Sequence, residues 1–81
     1  MILHVKKAKY LYDYVLWLRF NDGSEGEVDL KNELYGTMFK PLLDIQLFKT
    51  VKVDPELETI VWANGADLSP EYLYDRLKIP V

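Results

Sequence analysis

The 81-residue sequence predicts an α+β fold, a small mixed or antiparallel sheet of about five strands in two hairpins with two short helices. Three observations carry that expectation. "YVLWLRF" alternates Leu16, Leu18 and Phe20 with Val15, Trp17 and Arg19, the period-two pattern of a half-buried strand. "NDG" follows it directly as hairpin-turn chemistry, and "LSPEYL" sets Ser, Pro and Glu in the order of a helix start.

Residues 2–10 are rich in β-formers and are expected to pair with residues 14–20 through a turn near Tyr12 and Asp13. The next hairpin has two candidate loops. A two-residue Asp22-Gly23 loop sets Leu18 opposite Glu27, whereas a three-residue Asn21-Asp22-Gly23 loop sets Leu16 opposite Val28 and Arg19 opposite Glu25. The second matches apolar with apolar and cation with anion, and it gives Gly23 the left-handed position that costs a glycine nothing.

Residues 30–36 read as irregular chain or one helical turn. A short helix is expected over residues 38–43, "MFKPLL", with Phe39, Leu42 and Leu43 turned inward and Pro41 limiting its length. "FKTVKVD" and "ETIVW" then form a hairpin in which Val53 faces Ile60 and Val51 faces Trp62, leaving residues 55–58 as the loop, with Pro55 at its start. The last helix has Ser69 as N-cap, Pro70 in the first turn and Glu71 at the positive end of the dipole. Leu68 can staple onto Leu73, which shares a face with Leu77, and Pro80 bars continuation. Tyr72 stands where a full capping box carries Glu or Gln.

Composition bounds the function. The length suits one domain spanning residues 1–81, and 49% hydrophobic with 28% charged residues is the balance of a folded globular chain. Two Trp, six Tyr and three Phe supply large buried areas to a small core. With no Cys there is neither a disulfide framework nor a thiolate metal site, so a reducing cytoplasm suits the chain. The N-terminal segment reads as a strand, not a signal peptide, and no stretch has the length of a membrane span. The net charge of −3 gives no general footprint for nucleic acid, although Lys6, Lys7 and Lys9 form a local basic cluster beside Tyr10 and Tyr12.

Candidate chemistry is sparse. His4 is the only histidine and has no cysteine nucleophile to activate, so it reads as a surface residue and no enzyme is expected. Asp22, Glu25, Glu27 and Asp29 lack the spacing of a calcium loop and read as one exposed strand face. No phosphate loop or cofactor motif is present, so no cofactor is expected. The remaining stretch is "WANGADLSPEYL". Asn64-Gly65 favours a turn with positive φ, and Asp67 and Ser69 can each accept backbone hydrogen bonds near the helix start. The turn is thereby explained as a corner. The functional alternative is a partner-docking surface made of Trp62, Asn64, Asp67 and Tyr72.

"FNDGSEGEVDL", the Phe-x-Pro-Leu segment and "WANGADLSPEYLY" together resemble the bacterial domain-of-unknown-function family 2442. Its closing motif is matched at Trp62, Asn64, Gly65, Ala66, Asp67, Leu68, Pro70, Glu71 and Leu73. Ala63 departs from it, since relatives often have Pro there, which implies a looser turn. The resemblance implies a small cytoplasmic α+β domain, sometimes fused to a helix-turn-helix domain and often encoded beside another small protein, a neighbourhood that suggests a toxin–antitoxin pair. It supplies no catalytic residue, and a chain of this length is expected to lack the DNA-binding domain. The function expected is a non-enzymatic protein-interaction module, the antitoxin-like partner of a two-gene system, with another small protein or a second copy as partner. The alternative is an accessory nucleic-acid-associated domain working through Lys6, Lys7 and Lys9.

Overall fold

A three-stranded antiparallel sheet, β1 (Val5–Tyr12), β2 (Val15–Phe20) and β3 (Glu25–Asp29), is laid down in chain order in the computed structural model, which describes residues 2–78. A second antiparallel pair, β4 (Lys52–Asp54) and β5 (Thr59–Val61), packs near β1, so the five strands divide between two sheets. The helices are α1 (Ile45–Phe48) and α2 (Pro70–Asp75). The α+β class expected from the sequence is the one observed.

The β2–β3 hairpin has the three-residue loop. Leu16 pairs with Val28 and Arg19 with Glu25, Gly23 sits at φ +89°, and the Arg19 and Glu25 side chains approach to 3.3 Å. Asp22 holds the loop by accepting from the Ser24 N–H at 2.9 Å. The expected register of the second hairpin is also observed, with Val53 opposite Ile60 and a loop over residues 55–58, but its ladder stops at Lys52 and Val61, short of Val51 and Trp62. Asp54 fastens that loop by accepting from the Glu56 and Leu57 N–H groups at 2.8 and 3.0 Å.

Residues 38–43 differ from expectation. Only Lys40–Leu43 is helical, as a 3₁₀ turn with Pro41 in its first positions, where no donor is required. Leu42 is buried and Phe39 half-buried, but Leu43 is 42% exposed: adjacent residues on so short a turn cannot both face the core. The first α-helix begins after it, because extended Asp44 (ψ 112°) stops the turn and caps the next one by accepting from the Gln46 N–H at 3.0 Å. Phe48, expected to open a strand, is therefore the buried end of α1.

Leu16, Leu18, Phe20, Val28 and Leu30 from the sheet meet Leu42, Phe48, Ile60, Trp62 and Leu73 in one core. Ser69 caps α2 by accepting from the Tyr72 N–H at 3.2 Å; Leu73 is fully buried in the core, and Leu68 and Leu77 pack against that same core. The helix ends at Asp75, and the expected stop at Pro80 lies outside the described residues. Lys78 then returns to the free edge of β3 and exchanges two backbone bonds with Glu27, 2.8 and 3.2 Å. No helix among the described residues is long and apolar enough to cross a membrane.

Candidate functional site

The corner between β5 and α2 is built by its own backbone. The Trp62 N–H donates to the Ala66 carbonyl and the Gly65 N–H to the Trp62 carbonyl, both at 2.9 Å, which closes a loop that requires Gly65 at φ +88°. Asn64 serves the same loop: its Oδ1 accepts from the Ala66 N–H at 3.1 Å and its Nδ2 donates to the Met38 carbonyl at 3.0 Å. Trp62 is 2% exposed, and its indole N–H reaches the Phe48 carbonyl at 2.9 Å, tying the corner to α1. Ala63, where a proline would have no N–H to offer, donates to Thr50 Oγ1 at 3.0 Å.

The four docking candidates therefore do not form one surface. Trp62 is core and Asn64 is occupied by backbone groups, whereas Asp67 is exposed and its carboxylate has no hydrogen bond among the described residues. Asp67 contributes through its backbone, bridging to Val61, and does not accept a backbone hydrogen bond at the helix start as expected; Ser69 alone does. Tyr72 belongs to a different cluster. Its hydroxyl donates to Glu33 Oε2, Arg76 Nε donates to Glu33 Oε1 at 3.1 Å, and the Arg76 guanidinium lies 3.5 Å over the Tyr72 ring.

The electrostatics of that cluster follow from its contacts. The hydrogen bond from Tyr72, and then that from Arg76, holds the Glu33 carboxyl below its ordinary range. Burial, and then donation to Glu33, pushes the Tyr72 phenol up to about 12, so it remains a neutral donor. The Glu33 hydrogen bond raises Arg76 in turn. What the arrangement does is clamp the 3₁₀ turn Lys31–Glu33 to α2. Sequence reasoning missed Glu33 and Arg76, since neither stands in a local motif.

A family model described as "Protein of unknown function (DUF2442)" matches residues 5–78. The chain belongs to the DUF2442 family. No curated protein and no solved structure matches it.

The remaining candidates of this DUF2442 chain are dispersed. His4 Nε2 lies 2.7 Å from Glu58 Oε2, at the turn after β4, and its backbone N–H donates to Asn21 Oδ1 at 2.9 Å. Glu25, Glu27 and Asp29 do share the exposed face of β3, as the alternation required. No group of three or more His, Cys, Asp or Glu side chains among the described residues could hold a metal ion. The lysine cluster is divided by a bulge between Val5 and Lys7: Lys6 lines a shallow groove with Asp54 and Glu58, while Lys7 and Lys9 pair across to Arg19 and Trp17. Tyr10 is turned edge-on to Phe48 at 6.0 Å, beneath Lys49, and only Tyr12 stays exposed.

Backbone direction distinguishes the two edges of the large sheet. Phe20 and Tyr14 bond to Ser24 and Leu30, so the even-numbered residues of β2 serve β3 and the odd-numbered ones serve β1. Lys7 and Lys9 therefore turn their backbone groups to β2, and Ala8 and Tyr10 turn theirs outward. Among the described residues, only Val5 on that outer edge has a backbone partner, its N–H donating to the Glu58 carbonyl at 2.9 Å.

Proposed function

We infer that this chain is a non-enzymatic protein-interaction module, the antitoxin-like member of a two-protein bacterial system, acting in the cytoplasm on another small protein. The observation that supports this is the outer edge of β1, where the N–H and C=O groups of Ala8 and Tyr10 have no backbone partner among the described residues. An unpaired edge accepts an added strand, with main-chain bonds supplying affinity. The other edge is already closed by Lys78. Exposed Asp67 adds a free carboxylate on the corner. For nucleic acid the support is weaker, because Lys6 is parted from Lys7 and Lys9, and the latter two share their face with Glu25 and Glu27.

Co-expression with the protein encoded beside it, followed by pull-down and a growth assay, tests this function. Capture and growth rescue are expected, and both should be lost in Ala8→Pro, which removes an outward N–H without touching the β1–β2 ladder. Circular dichroism confirms that the variant folds. Absence of both capture and rescue with the natural sequence removes the proposal, and undiminished capture by a folded Ala8→Pro removes the edge from it.

A further inference from the structure

The three-stranded sheet has a second face that the core does not use. Val15 is 7% exposed yet stands outside the core cluster, and Trp17 is half-buried without packing against that cluster. Register aligns Lys9, Trp17 and Glu27 in one row across this face and Lys7, Arg19 and Glu25 in the next. Each row runs from a cation on β1 to a carboxylate on β3. Beyond them, Tyr12, 55% exposed, is level with Val15 and Asp29.

We propose that this face pairs with the same face of a second copy of the chain, about a two-fold axis running along β2. The charge pattern selects that axis. Two sheets can meet face to face about an in-plane axis either across the strands or along them. An axis across the strands stacks β1 on β1 and β3 on β3, bringing Lys9 onto Lys9 and Glu27 onto Glu27. An axis along β2 reverses each row end for end, so Lys9 meets Glu27 of the second copy, Trp17 meets Trp17, and Lys7 meets Glu25. Tyr12 then lies over Asp29, a hydroxyl over a carboxylate. Arg19 meets Arg19, but each guanidinium is already held by its own Glu25 at 3.3 Å. Facing sheets lie ~10 Å apart, a gap that Lys and Glu side chains reaching from both sides can span.

Self-association through the free edge of β1 is a poorer solution. Antiparallel pairing of β1 with itself, through the outward groups of Ala8 and Tyr10, sets Lys9 opposite Lys9 or Lys7, like charges that destabilise a strand pair, or opposite Leu11, in a register centred beside the bulge between Tyr10 and Tyr12. This pairing does not depend on the edge-binding function proposed above, since it leaves the edge of β1 open.

The face is small. Three strands ~4.8 Å apart and five residues at ~3.4 Å make an area of about 15 by 17 Å, well below the ~800 Å² that each partner contributes to a stable complex. The dimer is accordingly weak, forming at roughly 0.1–1 mM, and salt-sensitive because its charges are exposed. Sedimentation velocity over that range at low salt should show the mass rising toward twice the monomer, with the rise suppressed at ~0.5 M NaCl. Lys9→Glu and Glu27→Lys should each lose association by at least ~tenfold, while an equimolar mixture of the two should regain it, because both inter-copy contacts again join opposite charges. Both residues are exposed, and thermal unfolding verifies that each variant is folded. A natural chain that stays monomeric throughout, single variants that associate like it, or a mixture of folded variants that does not associate would each overturn the proposal.

Discussion

Replacing Asn64 by Ala separates the corner as architecture from the corner as a surface. The change removes the Oδ1 acceptor of the Ala66 N–H, 3.1 Å away and half-buried, and the Nδ2 donor to the Met38 carbonyl, 3.0 Å away on an exposed side. A typical intramolecular hydrogen bond contributes about 1 kcal/mol net, and the exposed one contributes less because water replaces it. The expected loss is therefore about 1–2 kcal/mol. For a domain of this size each kcal/mol lowers the melting temperature by about 4–8 °C, so Asn64→Ala should melt at least ~4 °C below the natural sequence. Asp67→Ala, which removes an exposed carboxylate that has no hydrogen bond among the described residues, should stay within about 0.5 kcal/mol. Urea unfolding with a common m-value measures both differences. Equal losses in the two variants, or an Asn64→Ala protein as stable as the natural one, would refute the assignment of Asn64 to the backbone. Partner capture by the same variants completes the test: binding lost in Asp67→Ala at unchanged stability marks the carboxylate as a contact.

Gly26→Ala should destabilise by about 1–3 kcal/mol, because a Cβ there would collide with the Lys78 carbonyl oxygen, a backbone atom that cannot swing aside. Hydrogen exchange should show the Glu27 and Lys78 amides losing protection together, and undiminished protection would contradict the closure of β3. Asp54→Asn tests the pH dependence of the second hairpin. Backbone donation from Leu57, and then from Glu56, lowers the Asp54 pKa in the folded protein, so its contribution is present above the ordinary carboxylate pKa of about 4 and is lost as pH falls through the folded value. The melting-temperature gap between natural and variant proteins should be widest near neutrality and close below about pH 4; a constant gap would rule out the linkage.

What could be read without a structure was local. The β2–β3 register followed from placing apolar residues on one face and a glycine at φ > 0, and the start of α2 from Ser69 and Pro70, because each depends on conformations of neighbouring residues. The 3₁₀ turn and α1 were misplaced for a local reason as well: Asp44 can continue a chain or cap a helix, and its neighbours do not decide between these. Tertiary structure decided the rest. Trp62, a docking candidate on sequence grounds, is core because α1 carries the Phe48 carbonyl to its indole N–H. Glu33 acquires its role from Tyr72, 39 positions along the chain, and from Arg76, 43 positions along. Lys78 closes one sheet edge, while on the other Ala8 and Tyr10 have no backbone partner among the described residues. Contacts of that range are selected by how the apolar faces of separate elements come together, and short-range patterning carries no record of the choice.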